Sequence, residues 1–308
     1  MILEARDLPD GSVLEADLAV VGAGPAGIVL ALEAAKGGLD VVLLESGGHR
    51  PDPNAQRLGA AAEGDSGHHL PMSLVTRRQV GGASVIWGGR CVPYDPVDFD
   101  HRPFVPDGRW PISYEEVSRF FQRACDWFAC GDASFNSLDV PGLSGRTLVP
   151  GLPDGDVRTS TLERWSLPTN FGREYRRALR HSSRIRLVTG LTCVEVVPDE
   201  TAPRVAWLEM RTLDHRAVHV RARRHVLACG GLETTRLLLA SRGHRAGGLG
   251  NHSGHLGRWY MGHVHGRIAR ASFSTPPRET IYSQSVTPAG STSAAGSPSR
   301  ASSCCGRR

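Results

Sequence analysis

Three glycines near the start of the chain have the spacing of a dinucleotide-binding turn. They are Gly22, Gly24 and Gly27, in the pattern G-x-G-x-x-G. Gly22 permits a tight turn, Gly24 lets a pyrophosphate approach the backbone, and Gly27 lets a helix pack closely on the preceding strand. The free N–H groups at the start of that helix then face the phosphates. The chemistry that these residues predict is the binding of a dinucleotide cofactor.

An acidic side chain, Glu45, follows about 20 residues beyond the glycines, where a carboxylate can accept hydrogen bonds from the adenosine ribose. It ends a second apolar stretch, Asp40–Glu45. The sequence around the glycines predicts a strand, a turn and a helix, so the motif has the context that an isolated glycine pattern lacks. The alternative is a glycine-rich turn in some other α/β protein.

A second glycine-rich stretch, residues 77–91, has the pairs Gly81-Gly82 and Gly88-Gly89 on either side of small and aromatic residues. Glycine adopts backbone conformations that other residues resist, and it lets the chain run beside a flat ligand. Taken alone, the stretch favours a loop without a ligand. After a dinucleotide motif, we interpret it as a second contact with the same cofactor.

Three motifs make the chain resemble the glucose–methanol–choline family of FAD-dependent oxidoreductases, and most closely its pyranose-oxidase branch. They are Gly-Ala-Gly-Pro-Ala-Gly at 22–27, Leu-Leu-Glu-Ser-Gly-Gly at 43–48 and Gly-Gly-Ala-Ser-Val-Ile-Trp-Gly-Gly at 81–89. The first two occur in many flavoproteins, and the third is more discriminating. The resemblance implies FAD as the cofactor. It implies an α/β fold, with a doubly wound, Rossmann-like FAD-binding domain and an incomplete second, substrate domain.

The resemblance also implies which residues contact the FAD. In the family, the third motif passes close to the isoalloxazine ring, the strand equivalent to 191–197 contacts the adenine, and the turn equivalent to 228–231 returns to the phosphates and ribose. Some pyranose oxidases bond a histidine covalently to the flavin where this chain has Ile86, so we expect the FAD to be non-covalent. The predicted cofactor-binding residues are Gly22, Gly24, Pro25, Ala26, Gly27, Glu45, Ser46, Gly81, Gly82, Ser84, Trp87, Gly88, Val194, Ala228, Cys229 and Gly230.

The sequence divides into three predicted parts. Residues 12–92 and 186–245 form the FAD-binding domain, and residues 93–185 and 246–282 form an insertion and the start of a substrate domain. Residues 283–308 contain no acid and almost no large apolar side chain. Such a segment cannot bury enough surface to offset its ordering entropy, so we expect it to be disordered.

Periodicity and capping residues predict several individual elements. Ser113-Tyr-Glu-Glu116 is a capping box, and it begins a helix with a predicted core face of Val117, Phe120, Phe121, Ala124 and Phe128. Gly131 is expected to end that helix. Strands are predicted at 185–189, 191–197, 205–211, 218–220 and 224–229, followed by a helix at 232–240. The arginines at 221–224 are interpreted as a solvated entry to the last strand.

The family's reaction is the oxidation of the CH–OH group of an alcohol or sugar, by hydride transfer to flavin N5. Family members are much longer, and the resemblance stops near residue 282, before the region that supplies the catalytic histidine. The catalytic residues are therefore unknown, since no spacing supports His263 or His265 in that role. Two alternatives stay open: a truncated FAD-binding fragment without activity, and NAD(P) in place of FAD.

The resemblance implies a small-molecule alcohol or sugar as the partner, and composition argues against other kinds of partner. The net charge of +5 comes from interspersed acids and arginines, and groove-binding signatures are absent, which argues against nucleic acid. The seven cysteines are scattered without a C-x-x-C pair, which favours reduced thiols over a disulfide frame or a zinc site. The histidines at 252–265 lack a carboxylate partner, so no metal is expected. With no signal peptide and no membrane-length apolar run, we expect a cytoplasmic protein.

Overall fold

The structure is a computed structural model that describes residues 1–60, 70–105, 108–140, 155, 158–241, 247–262, 285–286 and 292–295. The chain forms two compact units. The first unit is Met1–Trp87 with Asn170–His263, and the second unit is Gly88–Thr169 with Val264–Arg308.

The strands are β1 (Ile2–Glu4), β2 (Ser12–Val21), β3 (Val41–Glu45), β4 (Arg90–Cys91), β5 (Leu162–Trp165), β6 (Ile185–Thr189), β7 (Thr192–Pro198), β8 (Val205–Arg211), β9 (Ala217–Leu227), β10 (Ser285–Val286) and β11 (Thr292–Ala295). The α-helices are α1 (Pro25–Lys36), α2 (Pro53–Arg57), α3 (Met72–Val75), α4 (Tyr114–Ser118), α5 (Phe121–Phe128), α6 (Phe171–Glu174), α7 (Arg176–His181) and α8 (Gly231–Ala240).

A seven-stranded sheet is the centre of the first unit, in the order β1-β6-β3-β2-β9-β8-β7. The pairs from β1 to β9 are parallel, and the β9–β8 and β8–β7 pairs are antiparallel. Every residue of β3 is buried, as expected for a central parallel strand that is covered on both faces. The predicted α/β class is confirmed.

The first unit begins and ends at different residues from those predicted. It includes β1, because Ile2–Glu4 pairs in parallel with Leu187–Thr189 of β6. It also includes α6 and α7, which precede β6 in the chain. The assignment of the two units to cofactor and substrate stays a prediction.

One long strand, β9, replaces the two strands predicted at 218–220 and 224–229. It runs without a break from Ala217 to Leu227. β8 pairs with residues 217–220, whereas β2 pairs with β9 as far as Leu227. The arginine-rich residues 221–224 therefore lie in the middle of a strand and not at its entry, because pairing with β2 carries the strand through them.

The second unit contains a four-stranded antiparallel sheet in the order β10-β11-β5-β4. Two of its strands, β10 and β11, come from the stretch 283–308 for which we predicted disorder. The other residues of that stretch lie outside the described part of the chain, and for them disorder stays a prediction.

The predicted capping box is present in the second unit, but the helix that follows it is broken. The Ser113 N–H donates to Glu116 Oε2 (2.7 Å), and the Glu116 N–H donates to Ser113 Oγ (3.2 Å). α4 ends at Ser118, and α5 begins only at Phe121 and ends before Ala129, whose φ is +51°. The predicted core face is wrong, because the break separates its members: Phe120 is 46% exposed, and Cys125 is the buried residue of α5.

Substituting Leu43→Ala in β3 should lower the free energy of unfolding by about 2–5 kcal/mol, because the side chain is fully buried and leaves a cavity. Urea denaturation followed by circular dichroism measures this loss. Leu213→Ala removes the same atoms from a side chain that is 43% exposed in the β8–β9 hairpin, and it should change stability by less than about 0.5 kcal/mol. Equal losses in the two variants would contradict the placement of Leu43 in the core.

Candidate dinucleotide site

Three parallel strands of the first unit end side by side and form the floor of the candidate site. β2 lies between β3 and β9, and all three run in the same direction. From β2 the chain passes through α1 to β3 on one side, and it returns much later to β9 on the other side. Ligands of doubly wound sheets bind at the carboxyl ends of strands where the order reverses in this way.

The first glycine turn is fixed by contacts with backbone. Gly22 has φ +100°, and a Cβ atom there would lie 2.5 Å from the Ala228 carbonyl oxygen. A Cβ on Gly27 would lie 1.9 Å from the Gly22 carbonyl oxygen. These two glycines are therefore required by packing, in agreement with the roles predicted for them.

Gly24 differs from its neighbours because nothing fills the space beside it. The nearest atom to a Cβ built there is Gly82 Cα, at 4.0 Å. Its backbone is extended, with φ −78° and ψ −176°, a conformation open to any residue. The glycine is thus not needed by the fold at this position, and the open space is what close approach of a ligand would require.

The second glycine turn packs directly on the first. The Gly81 N–H donates to the Ala23 carbonyl oxygen (2.8 Å). Gly81 and Gly82 have φ of +103° and +52°, and a Cβ on Gly82 would lie 2.9 Å from Gly24 Cα. Ser84 Oγ stabilises this turn by donating to the Gly81 carbonyl oxygen (2.6 Å). The structure therefore brings together the two glycine motifs that the sequence singled out.

Glu45 connects the ends of β2 and β3. The carboxylate is 6% exposed. Its Oε2 accepts the Ala23 N–H (2.9 Å), and its Oε1 accepts the Gly47 N–H (3.0 Å). Ser46 Oγ also donates to Oε1 (3.3 Å). A carboxylate offers about four lone-pair sites, so capacity for a further donor remains.

Sequence reasoning missed an ion pair beside these loops. Arg78 Nη2 lies 2.7 Å from Glu233 Oε2, and both side chains are mostly buried. Arg78 Nη1 also donates to Ser46 Oγ (3.2 Å), and Arg236 Nη1 donates to the Leu58 carbonyl oxygen (2.8 Å). The pair joins the second glycine turn to the first turn of α8. The sequence does show Arg78 beside a glycine-rich stretch and Glu233 at the start of a helix. Its local pattern does not indicate that these two residues pair.

The turn after β9 completes the floor of the site. The Ala228 N–H donates to the Val21 carbonyl oxygen (2.7 Å), and Cys229 Sγ donates to the same oxygen (3.4 Å). Burial, with a further contribution from Glu45, raises the pKa of Cys229 to about 11, so this thiol is neutral near pH 7. Gly230, with φ +80°, precedes α8.

The remaining predicted site residues described here are Val194, Trp87 and Gly88. Val194 is exposed on β7 at a register irregularity, where it has no Cα partner on β8. Trp87 is half-buried in the first unit, whereas Gly88 is exposed and belongs to the second unit. Ile86, at the position of the covalent histidine, is 39% exposed.

The histidines considered as a metal site or a base are only partly described. Trp259 Nε1 donates to His255 Nδ1 (3.4 Å). His263 and His265 lie outside the described residues. Among the residues that the structure covers, no group of three or more side chains is arranged to hold a metal ion, and no helix is both long and apolar enough to cross a membrane.

Comparison with known proteins supports FAD as the dinucleotide. Residues 17–51, which span the first glycine turn and Glu45, match the family described as FAD binding domain. FAD is therefore the cofactor that this match supports.

Three characterised enzymes resemble the chain in sequence. Paromamine 6'-oxidase of Streptomyces fradiae is 28% identical over 79% of this chain and 52% of its own length. The 6'''-hydroxyparomomycin C oxidase of Streptomyces lividus is 27% identical over 79% of this chain and 53% of its own. The 2-methyl-1,2-propanediol dehydrogenase of Mycolicibacterium austroafricanum is 23% identical over 81% and 55%. The chain therefore spans about half the length of the relatives that it matches.

Two solved structures also align with the chain. Pyridoxine 4-oxidase from Mesorbium loti aligns with 74% of this chain and 52% of its own, at 19% identity and a TM-score of 0.44. Formate oxidase aligns with 76% of this chain and 48% of its own, at 15% identity and a TM-score of 0.44.

Gly27→Ala should destabilise the fold, whereas Gly24→Ala should leave its stability almost unchanged. The added methyl group at Gly27 overlaps the Gly22 carbonyl oxygen, and overpacking of this kind costs about 1–3 kcal/mol or more. At Gly24 the methyl group has room, so the free energy of unfolding should stay within about 0.5 kcal/mol of the parent value. Urea denaturation of the two variants in parallel tests both statements. A Gly24→Ala loss as large as that of Gly27→Ala would contradict the open space.

Proposed function

We propose that this chain, which is of the glucose–methanol–choline type of FAD-dependent oxidoreductases, oxidises the CH–OH group of an alcohol or sugar with non-covalently bound FAD. The observation that carries the proposal is the open space beside Gly24, at the place where the two glycine turns meet. Bare backbone on both turns leaves room for a pyrophosphate, with no intervening side chain. The N–H groups that it needs are those at the start of α1, because the Gly81 and Gly82 N–H groups donate to the Ala23 and Gln79 carbonyl oxygens.

The N-terminal turn of α1 supplies donors for the phosphates. Pro25 occupies the first helical position and has no N–H, so Ala26 and Gly27 present the first free N–H groups of the helix. The positive end of the helix dipole favours an anion at the same place. Gly81, Gly82 and Ser84 border this space from the second glycine turn.

The ends of β2, β3 and β9 would hold the nucleoside end of the cofactor. Glu45, held by two backbone N–H groups, is oriented to accept a ribose hydroxyl, with Ser46 beside it. Ala228, Cys229 and Gly230 border the other side. The irregularity at Val194 frees a short length of β7 backbone for the adenine edge. Trp87 and Gly88 follow the second turn and complete the proposed set.

The redox chemistry comes from the cofactor, and this chain orients it. When bound, FAD would supply the acceptor for the hydride of the alcohol carbon. Ile86 is a hydrocarbon side chain without a nucleophilic atom, so it forms no bond to the ring. The neutral Cys229 thiol is a poor nucleophile for the same purpose. These two residues support non-covalent binding. No described residue is assigned as the base.

The substrate class rests on the sequence relatives. They are named for oxidising paromamine, a hydroxyparomomycin and a branched propanediol. We infer from these names that the substrate carries a hydroxyl group on an alcohol or a sugar. An FAD-binding fragment without turnover is the second candidate, since no described residue is assigned as the base.

Gly24→Asp should abolish FAD binding without unfolding the chain. A carboxylate in the open space collides with the pyrophosphate and repels its charge. The test is the flavin absorbance that stays with the full chain after incubation with FAD and desalting. Gly37→Asp is the matched control, since it places the same charge on an exposed glycine of φ −74° at the other end of α1. Flavin retained equally by both variants would place the cofactor elsewhere.

Acid precipitation of the FAD-loaded chain should release all of the flavin into the supernatant. This follows from the absence of a nucleophile at Ile86. A yellow pellet, with flavin attached to a peptide in mass spectrometry, would contradict non-covalent binding.

Anaerobic addition of a substrate should bleach the flavin absorbance of the loaded chain. Paromamine, 2-methyl-1,2-propanediol and glucose form a suitable first panel. Bleaching by any of them supports the oxidoreductase, with sodium dithionite as the positive control. If dithionite bleaches the FAD-loaded chain but a broad panel of alcohols and sugars does not, the second candidate, an FAD-binding fragment without turnover, is supported.

A further inference from the structure

Three thiols meet in the second unit, and the end of α5 explains how two of them do so. The Cys130 N–H donates to the Cys125 carbonyl oxygen (3.1 Å), and the Ala129 N–H donates to the Asp126 carbonyl oxygen (3.2 Å). With Ala129 in the left-handed region at φ +51°, this is a Schellman-type helix end. Such an end brings the side chains on either side of it into contact, which here are Cys125 and Cys130.

The third thiol comes from the sheet. Cys91 lies on β4 opposite Arg164 of β5. The Cys130 thiol donates to the Cys125 carbonyl oxygen (3.7 Å), and the Cys91 thiol donates to the Gly89 carbonyl oxygen (3.4 Å). The Cys130 side chain lies within hydrogen-bonding reach of the thiols of both Cys91 and Cys125. Cys125 and Cys130 are buried, whereas Cys91 is half-buried. We refer to Cys91, Cys125 and Cys130 as the thiol cluster.

A buried cation adjoins the thiol cluster. Arg164 is 2% exposed, and its Nε donates to the Ser134 carbonyl oxygen (2.9 Å). Its Nη1 is buried and has no hydrogen-bond partner among the described residues. A buried charge is costly unless an opposite charge or hydrogen bonds compensate it. A thiolate in the cluster would provide that compensation.

Hydrogen bonding in the cluster lowers the pKa of its two outer thiols, Cys91 and Cys125. The hydrogen bond with Cys130 lowers the pKa of Cys91, and the Ser166 backbone N–H acts in the same direction. The same thiol, with a smaller effect of Arg164, lowers the pKa of Cys125. The pKa of Cys130 is raised by both neighbours, so Cys130 keeps its proton. By contrast, burial raises the pKa of Cys193 in the first unit to about 12.

We propose that Cys91 and Cys130 form a reversible disulfide when a peroxide oxidises Cys91. Cys91 is the member of the cluster that solvent reaches, and Cys130 is the thiol in contact with it. The proposal is independent of the proposed function, because it uses no residue of the first unit.

The reaction balances with hydrogen peroxide as the oxidant. The Cys91 thiolate attacks the O–O bond, which gives a sulfenic acid and hydroxide. The hydroxide takes the proton of the Cys130 thiol and becomes water. The resulting Cys130 thiolate attacks the sulfenic sulfur, and the second hydroxide leaves and is protonated by solvent. Two thiols and one peroxide thus give one disulfide and two waters, and a thiol reductant reverses the change.

The test is a peptide map of the full chain after treatment with hydrogen peroxide. The remaining peroxide is removed with catalase, free thiols are blocked with N-ethylmaleimide, and the chain is digested with trypsin. Cys91 lies in the tryptic peptide 91–109, and Cys130 in the peptide 124–146. The expected result is a cross-linked pair of these peptides that dithiothreitol separates, with fragmentation placing the bond on Cys130.

Two variants and one unfolded control make the outcome decisive. Cys130→Ser should abolish the cross-link and let Cys91 proceed to sulfinic acid, whereas Cys193→Ser removes a thiol elsewhere and should leave the cross-link unchanged. In urea the cross-link should form more slowly, because the three thiols are no longer held together. Separate peptides in the treated parent chain, a bond to Cys125 instead, or equal rates in urea would each overturn the proposal.

Discussion

The candidate site depends on the two backbone hydrogen bonds of one buried residue, Ala23. Its N–H donates to Glu45 at the end of β3, and its carbonyl oxygen accepts the N–H of Gly81 in the second glycine turn. A single residue thereby fixes three segments that are far apart in the sequence. Ala23 is fully buried, so a larger side chain has no room there. The positions of Gly24, Gly82 and the Glu45 carboxylate all follow from these two hydrogen bonds.

Local sequence patterns were sufficient for the elements that carry this site. The glycine spacing and the apolar run that ends at Glu45 predicted β2, α1 and β3 correctly, because a buried strand, a tight turn and a helix start are each encoded by adjacent residues. The capping box at Ser113 was predicted for the same reason. The pairing of the two glycine turns also followed from the sequence in outline, although only the structure shows that they touch at Gly24 and Gly82.

Interactions between distant segments were beyond this reasoning. The residues next to Arg78 and Glu233 in the sequence do not predict that these two side chains form an ion pair. The continuity of β9 depends on its partner β2, which holds residues 221–224 in extended form despite their three arginines. The break between α4 and α5 left a predicted core residue, Phe120, in solvent. In each case the structure depends on contacts between distant segments, which local propensity does not predict.

The unpaired part of β9 bears on aggregation between copies of the chain. Beyond Val220 the strand continues along β2, while β8 has already turned away. Among the described residues no other strand pairs with that side, so its backbone groups form an unprotected edge. Such edges recruit foreign strands, and charged side chains along them oppose this. Arg221, Arg223 and Arg224 are exposed on this length of β9, and their positive charge opposes its pairing with the same segment of another copy.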